Sequence, residues 1–214
     1  MNNLTIQDGQ TVVSIGDSIT DCGRRGAAFP FGTGYVSMLI ELTVAGWPDR
    51  DIRFINKGIG GNTCADLLAR WEDDLIRHQP DWVTVLIGIN DLHKTMRQVE
   101  DHSPEIFRKN YTGIMDALKE KTSAQVVLLD PFFVSTDRTG RSYRTTVLDM
   151  IDDYVAVVDE MAERYGTRRV RLHEVFQRQL RFRDPDVFCP EPVHPNHTGH
   201  MVIAVELLKA LMEE

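Results

Sequence analysis

The sequence predicts a single α/β domain, a parallel sheet with helices on both faces. Three observations lead there. Short β-branched and apolar runs alternate with longer segments of helical period along the whole chain, the pattern of repeated strand–helix–strand units. Two of the runs, 82–87 and 124–129, are almost continuously apolar, as parallel strands buried on both faces must be. The length of 214 residues suits one domain able to bury its core without a disulfide or metal staple. With no linker, low-complexity tract or internal repeat, 1–214 reads as one unit.

The elements follow in order. The first strand is 12–15, closed by Gly16, and the second is 52–56, closed by Lys57-Gly58. Asn62 is a candidate N-cap for a helix carrying Leu67, Leu68, Trp71 and Leu75 at helical spacing. The third strand, 82–87, ends at Gly88 and leads to a helix marked by Phe107, Tyr111, Ile114, Met115 and Leu118. The fourth, 124–129, ends at Asp130-Pro131, and Val147, Ile151, Tyr154, Val158 and Met161 mark the next helix. A short fifth strand is expected at 169–172, and a last helix over 197–212 is apolar nearly all round. Such a helix is either sandwiched in the core or covered by a second subunit, so a homo-oligomer is expected. Two connections are long, 22–34 and 131–145, and both follow strand ends, where open α/β sheets bind ligands.

Charge and cysteine usage narrow the function. The chain has 24 Lys+Arg against 32 Asp+Glu, a net charge of −8. Proteins that bind nucleic acid through phosphates are usually basic, so no nucleic-acid partner is expected. No apolar run reaches the ~20 residues of a membrane span, and the first fifteen residues lack the charge and apolar core of a signal peptide. Cys22, Cys64 and Cys189 form no CxxC pair. They fit a reduced compartment, and the expected location is the cytoplasm.

Four segments can carry chemistry. Gly16-Asp17-Ser18 at the end of the first strand lifts a hydroxyl above the sheet, a position for a nucleophile beside helix-start N–H groups; Asp17 and Ser18 equally suit a helix cap. Gly58-Ile59-Gly60-Gly61-Asn62-Thr63 is either a close-approach loop or a tight turn into a helix; no Lys-Ser/Thr pair makes it a phosphate loop. Asn90 in Gly88-Ile89-Asn90-Asp91 either donates an amide N–H to developing charge or turns the chain. Glu191 precedes His194 by three residues, so one turn can bring carboxylate and imidazole together and leave the other ring nitrogen as a general base. A rival reading of His194, His197 and His200 is a metal site, although no Glu lies between them as in the HExxH helix. Taken together, the segments supply Ser, Gly, Asn and a carboxylate–His pair in chain order along one rim of the sheet.

On these residues the sequence resembles the SGNH hydrolases, also called the GDSL family of esterases and lipases, through four blocks that span the chain. The resemblance implies a three-layer α/β/α sandwich with a flavodoxin-like five-stranded parallel sheet. It implies ester hydrolysis through a serine acyl-enzyme, with no cofactor and no metal. It assigns Ser18 as nucleophile and His194 as base. The oxyanion hole would be the N–H groups of Ser18 and Gly61 and the Asn90 amide. Glu191 stands where the family usually has Asp, one methylene shorter. Within the family, the stretches 15–24, 32–36, 88–91, 193–195 and 199–201 are similar to bacterial intracellular acetyl xylan esterases, which implies an acetylated sugar as the small-molecule substrate. A broad short-chain carboxylesterase or a thioesterase is the alternative.

The two long loops are the expected walls of the site. The first contains Arg24, Arg25, Phe29 and Phe31, and the second Phe132, Phe133, Arg138, Arg141, Tyr143 and Arg144. Aromatic faces and guanidinium forks suit sugar rings and hydroxyls, and they suit a subunit interface as well. Asp17, Arg24, Tyr143 and Arg144 are the expected substrate contacts, on a rim locally more positive than the acidic body.

Overall fold

The computed structural model describes residues 3–99, 101–140 and 142–213. Five strands, β1 (Thr11–Gly16), β2 (Arg53–Gly58), β3 (Trp82–Leu86), β4 (Gln125–Leu129) and β5 (Arg168–Val170), form one parallel sheet in the order β2-β1-β3-β4-β5. The helices are α1 (Ser18–Asp21), α2 (Tyr35–Gly46), α3 (Cys64–Ala69), α4 (Trp71–Asp74), α5 (Ile89–Met96), α6 (Pro104–Lys121), α7 (Tyr143–Tyr165), α8 (Leu172–Gln179) and α9 (His197–Ala210). The chain is an α/β/α sandwich: α2 packs on α9, while α3, α6 and α7 pack in series. Every residue of β3 is buried, as its unbroken apolar run requires.

The apolar positions that mark the long helices are their buried faces. Phe107, Tyr111, Ile114, Met115 and Leu118 are buried in α6, and Val147, Ile151, Tyr154, Val158 and Met161 in α7. Helix α9 buries Ile203, Ala204 and Leu207 and packs against α2 and β5, so it is sandwiched within its own chain. Other details depart from the sequence expectations. Thr63, not Asn62, caps α3, because its hydroxyl and the Asp66 carboxylate close a reciprocal capping box. The expected helix through Leu75 is interrupted at Arg70, which leaves helical geometry between α3 and α4. Residue 172 begins α8 instead of ending β5.

The sheet order creates the site's location. The connection from β1 runs to β2 on one side and that from β3 runs to β4 on the other, so a crevice opens between β1 and β3, where the order reverses. Gly16 pairs with Gly58 on one side and Leu86 on the other, which ends three strands level at that crevice. Gly58 has a specific reason to be glycine: a Cβ there would lie 2.1 Å from the Asp21 nitrogen, so only a bare Cα lets α1 lie against the end of β2.

Candidate active site

Ser18 is the first residue of α1, directly above β1. A first-turn N–H has no acceptor within its own helix, so the Ser18 N–H is available at the crevice. Its Oγ lies 2.9 Å from His194 Nε2. Asp17, expected on the substrate wall, is instead buried beneath the turn: it caps α1, its Oδ1 accepting the Ile19 N–H at 3.0 Å. Burial pushes the Asp17 carboxyl up to about 7, against the opposing pull of that hydrogen bond and of His194.

The loop after β2 crosses beside the serine. Asn62 donates its N–H to the Ile59 carbonyl (3.2 Å), and Gly61 takes φ +82°, left-handed space that favours glycine. A Cβ on Gly60 would stand only 3.8 Å from Ser18 Cβ. The Gly60 N–H is spoken for by Asp21 Oδ2 at 3.1 Å, whereas the Gly61 N–H meets no acceptor among the described residues. Asn90, in the first turn of α5, donates from Nδ2 to the Asn62 carbonyl at 3.0 Å. A primary amide has two N–H bonds, so the second remains for a ligand. Ser18, Gly61 and Asn90 are thus brought to one turn and its two neighbours.

His194 comes from the segment before α9. That segment is pinned at both ends: Pro192 accepts the Val134 N–H at 2.8 Å, and Asn196 donates its N–H to Phe188 (2.8 Å) while capping α9 with its side chain. The Glu191 carboxylate meets His194 Nδ1, and Oε1 also accepts the His194 backbone N–H at 2.7 Å. Its Oε2 accepts the Val193 N–H at 3.0 Å. The contact with a carboxylate places the imidazole proton on Nδ1 and leaves Nε2 as the acceptor facing Ser18. A hydroxyl, a neutral imidazole and a carboxylate in this series can pass a proton off the hydroxyl as it attacks.

The metal reading of the histidine cluster fails on His200. It is buried, its Nδ1 accepts the Tyr35 N–H at 3.2 Å and its Nε2 lies 3.4 Å from Cys22 Sγ. Burial, with His194 and His197 nearby, pushes its pKa down to about 4. Among the described residues no group of three His, Cys, Asp or Glu side chains is placed to hold a metal ion.

A groove of about 330 Å³ adjoins Ser18, walled by Asp21, Cys22, Arg25 and Gly60. The loop arginines are less free than the sequence suggests. Arg25 pairs with Asp21 at 2.8 Å, Arg24 Nε is bound to the Gly58 carbonyl at 2.6 Å, and Arg138 faces Asp149 at 3.4 Å. Arg141 lies outside the described residues. Phe132 and Phe133, expected as exposed aromatic faces, are wholly buried, because the chain after β4 dives back into the core before α7. Tyr143 and Arg144 occupy the first turn of α7 instead of a loop, both exposed. The Tyr143 ring lies 5.8 Å from that of His93, and both side chains feel the Glu191 charge. His93 had no signal in the sequence, since α5 was not expected as a helix and its packing on α7 brings the two rings together.

The profile of the GDSL-like lipase/acylhydrolase family matches residues 14–202. The chain belongs to that family. An acetylxylan esterase of Geobacillus stearothermophilus is 34% identical over 97% of this chain and 96% of its own length. Its solved structure superposes with a TM-score of 0.85 at 33% identity, covering 99% of this chain and 98% of that one. Other solved forms of it are described as catalytic mutants, altered at a serine, an aspartate and a histidine. An α/β hydrolase enzyme from the metagenome of Lake Arreo, Spain, superposes with a TM-score of 0.87 at 32% identity, covering 98% of both chains. As a member of the GDSL-like family, this chain is a hydrolase of carboxylic ester bonds. No helix among the described residues is long and apolar enough to cross a membrane.

Proposed function

We propose that this GDSL-family hydrolase removes short acyl groups, principally acetyl, from xylo-oligosaccharides or related sugars through a serine acyl-enzyme. The observation that carries the serine mechanism is the relay Ser18 Oγ–His194 Nε2, 2.9 Å apart, with Glu191 on His194 Nδ1. His194 takes the Ser18 proton as Oγ attacks the ester carbonyl. The oxyanion forms among the Ser18 and Gly61 N–H groups and the free Asn90 N–H; one such donor typically supplies about 2.7–4 kcal/mol of barrier lowering. His194 then protonates the leaving alcohol and afterwards activates the water that releases the acid. Every step is assigned to side chains and backbone of this chain, without a cofactor.

The acetyl-sugar substrate is supported by the relatives' own activity and by the site's shape. The groove beside Ser18, about 330 Å³ and open to solvent, has the room for a short acyl group and the hydroxyl-bearing carbon it esterifies. Tyr143, half exposed beside His93, offers an aromatic face on the His194 side, and Arg144 follows it on the same turn. Ser18→Ala is expected to abolish hydrolysis of p-nitrophenyl acetate while leaving the melting transition in place; turnover near the wild-type rate would overturn the serine mechanism. The substrate is tested by comparing kcat/KM on acetylated xylo-oligosaccharide, p-nitrophenyl butyrate and an acyl-CoA. A preference for the butyrate or the thioester would replace the sugar reading with the carboxylesterase or thioesterase one.

A further inference from the structure

Arg70 stands behind the crevice, and its guanidinium is the meeting point of three chain segments. Nη2 donates to the Gly16 carbonyl at 3.1 Å, at the end of β1 and two residues before Ser18. Nη1 donates to the Lys57 carbonyl at 2.9 Å, at the end of β2. Nε donates to Asn62 Oδ1 at 2.7 Å. Asn62 is the residue whose backbone carbonyl anchors Asn90 and whose N–H closes the turn around Gly61. The helix is interrupted at this residue, between α3 and α4, and there it reaches the strand ends.

The charge of the guanidinium is partly offset, by a carboxylate it shares with Lys57. Asp74 Oδ2 accepts from Nη1 at 2.8 Å and Asp74 Oδ1 pairs with Lys57 at 3.1 Å, and the Arg70 side chain is largely buried. What the guanidinium supplies beyond charge is geometry, since its planar fork fixes the directions of its bonds.

We propose that Arg70 is a positioning residue for the oxyanion hole, holding the Gly61 turn and, through Asn62, the Asn90 amide in register with Ser18. This deepens the serine-hydrolase reading above and rests on it. The Gly60 N–H is tied to Asp21; Arg70 ties the same turn through Asn62. Without it the turn keeps its local hydrogen bond and the Ile59 N–H on the Gly16 carbonyl (3.1 Å), but the Asn62 end of the turn loses its side-chain tie to the ends of β1 and β2. A misplacement of about 1 Å in such a site costs on the order of 10²-fold in rate. A lysine at 70 keeps the charge but, as a single point donor, cannot span the same acceptors.

The test uses Arg70→Lys, Asn62→Ala, Asn90→Ala and the Arg70→Lys/Asn90→Ala pair, with Ser18→Ala as the zero, on p-nitrophenyl acetate, and a thermal melt of each. Arg70→Lys and Asn62→Ala should each lower kcat roughly 10- to 100-fold, with KM within about threefold and an unchanged pH profile of kcat/KM. The Arg70→Lys factor should be at least about threefold smaller in the Asn90→Ala background, because the two act on one hole. Wild-type kcat in Arg70→Lys, a rise in KM alone, or the same factor in both backgrounds overturns the proposal while an inactive Ser18→Ala leaves the serine reading standing. An active Ser18→Ala removes both. If Arg70→Lys shows no cooperative melt, Asn62→Ala, which leaves the buried charges intact, decides: wild-type kcat there refutes the positioning role.

Discussion

Replacing Glu191 by Gln tests the most unusual member of the site with almost no change of shape. The native carboxylate accepts at both oxygens: Oε1 takes the His194 backbone N–H and faces Nδ1, and Oε2 takes the Val193 N–H. A glutamine has one acceptor oxygen and one NH2. If its oxygen faces His194, its NH2 points at the Val193 N–H; if it flips, two donors of His194 face a donor and the imidazole is driven to the wrong tautomer. Where the carboxylate of such a triad is buried, the amide replacement costs about 10⁴ in kcat. Here the side chains of His194 and Glu191 are 57% and 48% exposed, so water can hydrate the orphaned donors and screen the lost charge. The expected loss is therefore smaller, about 10²- to 10³-fold in kcat, or roughly 3–4 kcal/mol of barrier, with KM little changed because in the proposed mechanism Glu191 acts through His194. Steady-state hydrolysis of p-nitrophenyl acetate, with kcat and KM resolved separately, measures it. A variant within about threefold of wild-type kcat, beside an inactive Ser18→Ala, would show that something other than Glu191 orients the imidazole.

Two further predictions concern stability. Burial pushes Asp17 and Asp91 up to about 7 each, so between about pH 4 and 7 the native state holds protons the unfolded chain has released. Their stabilising contribution is complete below about pH 4 and is lost as pH rises through 7; Asp17→Asn should therefore shrink the fall in Tm between pH 5 and pH 8, and parallel Tm profiles for variant and wild type would refute this. Gly58→Ala must push a Cβ into the Asp21 nitrogen at 2.1 Å; overpacking of about 3 kcal/mol corresponds to a Tm lower by roughly 6–12 °C for a domain of this size, and a melt unchanged within about 2 °C would show that α1 shifts freely.

The sheet and its long helices were legible because they are written in periodicity. Trp82 to Leu86 could only be a strand buried on both faces, and the spacing of Val147, Ile151, Tyr154, Val158 and Met161 could only be one stripe of a helix. The candidate site was legible in its residue types for a different reason: glycine, serine and asparagine fall at strand ends, where chemistry and turn formation ask for the same small polar residues. The placement of side chains by long-range contact was not legible. Nothing near Phe132 and Phe133 distinguishes a loop that lies on the surface from one that turns back into the core. Asp17 looks like a site residue because it adjoins Ser18, yet the helix start it caps hides it. Arg70 lies in an ordinary amphipathic stretch, and its bonds to Gly16, Lys57 and Asn62 depend on how β1 and β2 end, which no local pattern encodes.

The division of labour within the site explains why a glutamate can stand at 191. Ser18, Gly61 and Asn90 follow three neighbouring strands whose ends are locked by sheet register, by Gly58 and by Arg70. A change of one methylene there would move the proposed oxyanion donors relative to the serine. The proposed base must approach Ser18 from another side, away from the proposed oxyanion donors, and His194 lies on a separate segment, held by the Pro192 carbonyl, which accepts the Val134 N–H just past β4, and by Asn196 at the start of α9. Among the described residues the carboxylate answers to three donors, the backbone N–H groups of Val193 and His194 and the His194 ring. A longer side chain satisfies all three by folding back over its own turn, with the segment's outer anchors untouched. Glu191→Asp accordingly tests tolerance in the reverse direction: because the anchors lie outside the turn, the shorter acid should retain activity within about tenfold, far above Glu191→Gln. If the aspartate variant is as impaired as the glutamine one, the turn is rigid and the glutamate is a requirement of this backbone instead of an accommodated substitution.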